Sequence, residues 1–260
     1  MHAPLARTLL PAALCAGTAL WLPAQAQEPS DDWDLAATVY LWGAGIQGET
    51  GGGAQVDVGF DTLIRNLNMA FMGAFEARRS KWSAGVDLVY LNVGANDSGT
   101  VPLRHASGAA VDLDVSASVE TKGWVLNLQG GYNLVQSDRA SVDVILGARY
   151  LDLALDFNLG LAAGQYAVPR DIAASQVVWD GILGIQGRLN LDHRWSLPFH
   201  LDVGTGESDL TWQAAGGVAY GFDWGEVSLV YRHLAWEFGS GDTLDHINFS
   251  GPLLAATWRF

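Results

Sequence analysis

The strongest constraint on this chain is a period of two. From Trp33 to Phe260, apolar and polar residues change places at every second position, in stretches of about ten residues divided by turn residues. Successive side chains of a strand point to opposite faces, so this period means strands with one oily and one polar side. In the first such stretch one parity carries Trp33, Leu35, Ala37, Val39 and Leu41, and the other Asp34, Ala36, Thr38, Tyr40 and Trp42. Further along, Met69, Phe71 and Phe75 oppose Glu76 and Arg78, while Trp82, Val86, Leu88 and Tyr90 oppose Ser83 and Asp87. Later stretches repeat the pattern, down to Pro252, Leu254, Ala256, Trp258 and Phe260 on one side of the last. A tilted strand needs about ten residues to cross a bilayer. The pattern therefore predicts an all-β fold, a transmembrane antiparallel up-and-down β-barrel of about ten strands, with eight or twelve also compatible.

Connection lengths support the same topology. Turns near Ser80, Asp138, His193 and Trp224 are short, whereas residues 48–67, 94–122, 158–176 and 239–247 read as long connections. Short turns on one side and long loops on the other are the barrel arrangement, and an even strand number leaves both ends of the chain on the short-turn side. Residues 111–121 are ambiguous. Their alternation of Val111, Leu113, Val115, Ala117 and Val119 fits either a prolonged strand or an additional one. A secreted β-sandwich also alternates, but the closing Trp258-Arg259-Phe260 favours the barrel, because barrel assembly machinery reads a last strand that ends in an aromatic residue.

Composition excludes several other classes. Hydrophobic residues make up 49% and charged residues 16%, yet no apolar run of about 18 residues follows the N-terminal region, so membrane-spanning helices are not expected. The 31 glycines and 11 tryptophans suit strands facing lipid with aromatic rings at both interfaces. Residues 1–26 read as a signal peptide: Arg7 supplies charge, an apolar stretch follows, and Ala24-Gln25-Ala26 forms the cleavage site. The barrel domain is then 27–260. Cys15, the only cysteine, falls in the segment to be removed, which leaves no thiolate for catalysis or metal binding. A formal net charge of −14 argues against nucleic acid as a partner and suits lipopolysaccharide bridged by divalent cations. Expected partners are outer-membrane lipid, lipopolysaccharide and the assembly machinery that reads Trp258 and Phe260. The expected location is the outer membrane.

Four segments carry a resemblance. They are Thr38-Val39-Tyr40-Leu41-Trp42-Gly43-Ala44-Gly45, Ala74-Phe75-Glu76-Ala77-Arg78-Arg79, the run from Asp202 to Gln213, and Gly251-Pro252-Leu253-Leu254. Together they resemble a family of uncharacterised proteobacterial outer-membrane barrel proteins, over nearly the whole chain after the signal peptide. The resemblance implies fold and location. It brings no established substrate, cofactor or catalytic residue.

The candidate site is the lumen. Its parity gathers Glu76, Arg78, Asp87, Asp143, Arg149, Asp180, Arg188, Asp202 and Arg232, with both signs in similar number. In a barrel of this size side chains largely fill the interior, so these charges are expected to pair into a salt-bridged plug or line a narrow polar path. The expectation is a structural or narrow-channel protein, not an enzyme. The alternative is an outer-membrane hydrolase or acyl transferase using His200 and Asp202, which share one face of a strand as a base and its orienting carboxylate would. Ser196 and Ser228 share that inward parity; His233, Asp245 and His246 lie nearer the rim. In 204–209, Glu207 and Asp209 fall short of a calcium site and read as turn chemistry, and Gly51-Gly52-Gly53 reads as a flexible loop and not a phosphate cradle. No cofactor or metal site is expected.

Overall fold

The computed structural model describes residues 32–50, 53, 55–65, 67–104, 110–163, 166–239 and 244–260. The expected signal peptide, Gly51 and Gly52 lie outside the described residues. Three strands, β1 (Trp33–Trp42), β2 (Gly45–Thr50) and β3 (Gln55–Val58), precede a six-residue helix, α1 (Phe60–Arg65). Nine more follow: β4 (Leu67–Arg79), β5 (Trp82–Arg104), β6 (Ala110–Gln136), β7 (Ala140–Ala163), β8 (Tyr166–Asn190), β9 (Trp195–Gly206), β10 (Leu210–Phe222), β11 (Gly225–Glu237) and β12 (Leu244–Arg259). Among the described residues no helix is long and apolar enough to cross a membrane.

The sheet closes on itself. β1 and β4 to β12 pair with their neighbours in chain order, and β12 returns to pair with β1 through Ala36↔Arg259 to Trp42↔Leu253, giving a ring of ten antiparallel strands. Reciprocal bonds between Leu35 and Phe260, at 3.0 and 2.9 Å, lock the seam. The period of two then divides each strand between outside and lumen. Outward positions such as Val39, Leu41, Phe71, Leu146, Leu201 and Leu254 stay exposed, while their inward neighbours are buried or half-buried.

Aromatic residues gather at two levels of the outer face. Trp82 meets Tyr132 at 4.8 Å near the short turns, and Tyr90 meets Trp124 at 4.3 Å further up the same strand pair. From Trp82 to Tyr90 is about 26 Å of strand, the scale of a lipid-facing band of about 25 Å. At the short-turn end Ser80 takes a positive φ of 55° between β4 and β5. The carboxylate of Asp192 caps the β8–β9 turn by accepting the Arg194 and Trp195 amides, each at 2.7 Å. These two amides, Trp195 first, hold its carboxyl below the usual carboxylate range.

At the other end the structure corrects the expected loops. Residues 94–122 and 158–176 are mostly strand, because β5 runs on to Arg104, β6 starts at Ala110, and β7 and β8 run up to Ala163 and from Tyr166. Pairing continues in register to Arg104↔Ala110 and Ala163↔Tyr166. The ambiguous segment 111–121 prolongs β6 and adds no strand. Strands of 23 to 27 residues are roughly twice what a bilayer crossing needs, so β5 to β8 stand above the band as a four-stranded blade. Of the other two expected connections, 48–67 holds the end of β2, β3 and α1, and 239–247 already enters β12 at Leu244.

Candidate functional site

The lumen is organised in three tiers, and two carry the expected charges. In the middle tier Arg149 on β7 has no exposed surface. Its Nη2 donates to both carboxylate oxygens of Asp202 on β9, at 2.8 and 2.7 Å. Its Nε donates to Asn127 Oδ1 at 2.7 Å and its Nη1 to Thr211 Oγ1 at 3.0 Å. Arg232 on β11 donates through Nη2 to Asp87 Oδ2 on β5 at 2.8 Å, through Nε to Gln213 at 2.9 Å and through Nη1 to the Tyr40 hydroxyl at 3.3 Å. The Tyr40 hydroxyl in turn donates to Asp87. β5 and β11 stand on opposite sides of the ring, so the Arg232–Asp87 pair crosses the bore. Asn127 joins the two clusters by donating to Asp87 Oδ2 at 3.2 Å while accepting from Arg149. Burying an ion costs several kcal/mol and is offset only where its remaining hydrogen bonds are completed; Asn127, Thr211, Gln213 and Tyr40 complete them here.

The tier toward the short turns is more open. Arg78 pairs with Asp143 and with Glu76, the latter at 3.1 Å, and Asn133 donates to Asp143 at 2.7 Å. Arg188 pairs with Glu226 and donates to Ser196 Oγ at 2.8 Å. Gln129 donates to Gln186 at 2.8 Å, and Gln186 reaches Glu76 at 3.4 Å. These groups surround a polar void of about 560 Å³ that holds Glu76, Arg78, Asp143, Arg188, His200 and Glu226 on its wall.

The third tier, on the blade side, is apolar. On the lumen parity Asp87 gives way to Val89 and Val93, Asn127 to Val125, Arg149 to Leu151 and Leu153, and Arg232 to Leu234 and Trp236. Trp42, Trp236 and Phe249 pack there, with rings 6.3 and 6.1 Å from Phe249. Trp42 and Trp236 also meet the plate below, lying 4.8 Å from the Arg232 guanidinium and 5.8 Å from that of Arg149. No sequence expectation covered this tier. The signal was present, since in 88–91, 150–151, 177–179 and 234–236 both parities are apolar.

Eight of the nine expected network residues are brought together as ion pairs, in two tiers. Asp180 is a correction. It is buried, but its Oδ1 accepts the Ser208 amide at 2.9 Å and, among the described residues, its Oδ2 has no hydrogen-bond partner. Its work is to hold the β9–β10 turn, because β8 pairs with β9 at Asp180↔Gly206, level with that turn. Glu207 likewise accepts the Trp179 amide at 2.8 Å, and Thr205 Oγ1 donates to the Ser208 and Asp209 carbonyls, so residues 204–209 use their polar groups as turn chemistry. Glu226, Tyr40, Asn127, Thr211 and Gln213 were missed, although Glu226 shares the parity of Ser228 and Arg232.

His200 does meet Asp202, at 2.6 Å through Nε2. That carboxylate already receives both bonds from Arg149, and among the described residues no hydroxyl hydrogen-bonds His200. Ser196 is engaged by Arg188. His233 belongs to the outer parity, bonded to Ser250 and packed against Trp212 with ring centres 4.4 Å apart. Trp258 and Phe260 point outward at the seam, both exposed.

No family model matches this chain, and no curated protein matches it either. Solved structures do. The outer membrane protease OmpT from Escherichia coli superposes with a TM-score of 0.55 at 11% identity, over 91% of this chain and 99% of that one. The translocator domain of autotransporter NalP from Neisseria meningitidis gives 0.41 at 16% identity, over 90% of each chain. The attachment invasion locus protein Ail of Yersinia pestis gives 0.32 at 10% identity, over 89% of this chain and 100% of that one. At such identities the OmpT superposition supports the fold and nothing finer.

Proposed function

We propose that this chain is a closed outer-membrane barrel of the Gram-negative envelope, a structural body and neither an open pore nor an enzyme. The short turns then face the periplasm and the blade of β5 to β8 stands outside the cell. The observation that carries the reading is the middle tier, where Arg232–Asp87 and the fully buried Arg149–Asp202 pair link strands across the bore and an apolar plug lies above them. An ion following the axis would have to break hydrogen-bonded buried pairs and then cross a dry layer, two barriers that hydrophilic pores lack. The polar void beneath opens toward the periplasm and ends at this plate. Lipid, lipopolysaccharide and the assembly machinery are the partners that the outer face and the exposed Trp258 and Phe260 suit.

OmpT is a protease by name, and a shared fold leaves a hydrolase reading in play. What weighs against His200 and Asp202 as its machinery is that Asp202 is already bound through both oxygens by the buried Arg149, and that among the described residues no hydroxyl hydrogen-bonds His200. Planar-bilayer recording of the refolded protein tests the closed reading: no discrete conductance steps are expected, and reproducible steps from the wild-type chain overturn it. Hydrolysis of lipid or peptide that vanishes in His200→Ala would establish the enzyme instead.

A further inference from the structure

The wall of the barrel is incomplete on the blade side. β1 pairs with β4 only from Trp33↔Arg79 to Val39↔Gly73. Beyond that level the chain bends at Gly43 and Ala44, and β2 pairs with β12 and β3, not with β4. The bend is seated on a close approach. Gly43 N–H donates to Pro252 O at 2.7 Å, and a Cβ on Gly251 would collide with the Gly43 carbonyl. Residues 67–72 of β4 therefore have β5 on one side and no paired strand on the other among the described residues. Where the two strands part, the Trp42 amide donates to the Met72 sulfur at 3.3 Å instead of to a carbonyl.

Behind this gap lies a cavity of about 160 Å³ in the apolar tier. Trp42 and Phe249 line its inner side, Val125 and Leu153 its far wall, and its lining is almost wholly apolar. Leu41, which is 72% exposed, and Phe60, which is 44% exposed, belong to the same lining, so the cavity reaches the surface at the gap. The level of the opening is set by register. Met72 pairs with Val89, next to Tyr90 of the upper aromatic belt. A strand edge with unpaired groups is not tolerated in hydrocarbon, but at the interface water and head groups satisfy it. The gap thus opens where apolar solutes concentrate, at the outer boundary of the lipid.

We propose that this cavity binds one small, uncharged, apolar molecule, entering sideways between β1 and β4. Size selects the occupant: an engineered apolar cavity of about 150 Å³ stays dry and takes up benzene. A molecule of about six to eight carbons fits on that scale, and a whole phospholipid chain does not. Charged or strongly polar compounds are rejected because the lining offers them nothing to pair with. The site goes beyond the closed-barrel reading and does not depend on it, since binding above the plate neither needs nor gives conductance.

The test uses the full chain in lipid nanodiscs, with bromobenzene as the probe and tryptophan fluorescence as the readout. Bromine quenches on contact, and Trp42 lines the cavity. A saturable quenching phase is expected on top of the linear quenching of belt tryptophans by dissolved probe. It should vanish in Trp42→Phe and in the cavity-filling Val125→Phe, and weaken at least fivefold in the milder Ala70→Leu, each checked for heat-modifiable gel mobility. Should Val125→Phe fail to fold, Ala70→Leu still decides. Linear quenching alone in the wild type, or equal saturable quenching in every variant, overturns the proposal. So does a saturable Trp42 signal from a dibrominated phosphatidylcholine without one from bromobenzene, which would make the occupant a lipid chain.

Discussion

The two halves of the lumen meet the same problem by different physics. Below, toward the short turns, inward residues are charged or amidic, mostly bonded to partners on other strands around an open void of about 560 Å³. Above, they are leucine, valine and tryptophan, with Leu234 and Trp236 fully buried. The plate of Arg149, Asp202, Arg232 and Asp87 is the boundary. A polar network keeps its geometry only while every member is paired, whereas an apolar plug loses stability roughly in proportion to the contacts removed. The lower half should be sensitive to charge and forgiving of volume, and the upper half the reverse.

That contrast is sharpest at the plate. Arg149→Ala leaves Asp202 and Asn127 without their buried partner and is expected to cost about 3–5 kcal/mol in reversible urea unfolding from vesicles. Arg149→Met combined with Asp202→Leu should recover most of it, because no lone charge remains. The pair Asp87→Ala and Arg232→Ala should stay silent in conductance recordings, since the upper plug still closes the bore; steps from that variant would show that the apolar tier does not seal. In the upper half Leu151→Ala is expected to cost about 3 kcal/mol by enlarging a cavity in packed surroundings. In the lower half Gln129→Ala should cost only about 1 kcal/mol, because water in the void can take the place of its bond to Gln186. The smallest effect belongs to Asp192→Asn at the β8–β9 turn. The folded state holds this carboxyl below its unfolded value, so its contribution is present above the unfolded value and fades as pH falls through the folded one. Wild type and Asp192→Asn should therefore differ slightly at neutral pH and converge in acid.

Much of this was legible in the sequence. Alternation placed Trp33, Phe71, Leu146 and Leu254 outside and Asp87, Arg149 and Arg232 inside, because one buried face fixes the parity of a whole strand. Partners were not legible. Which acid meets Arg232 depends on how far each strand is staggered around the ring, and stagger leaves no mark on local pattern. The apolar tier escaped notice for another reason: a search for lumen function by charge passes over Val89, Leu151 and Leu234, where both faces are apolar and alternation fades. The blade reads as loops in the sequence because its alternation continues past the membrane, and length alone does not say where strand becomes connection. The break between β1 and β4 also hides in plain residues, in Gly43 and Gly251 of two segments that carry the family resemblance and prove to be neighbours across the seam.

That seam has a kinetic side. Thr38 and Thr257, bonded to each other at 2.9 Å, are 219 positions apart in the chain. Most other pairings in the ring are hairpins that form locally, but this one waits until the eight intervening strands have taken their places, and contacts of such long range are slow to form. Until then both terminal strands present bare amides and carbonyls to whatever is near, the situation in which proteins stick to one another. Ring closure is therefore the step at which catalysed insertion has most to gain over spontaneous folding.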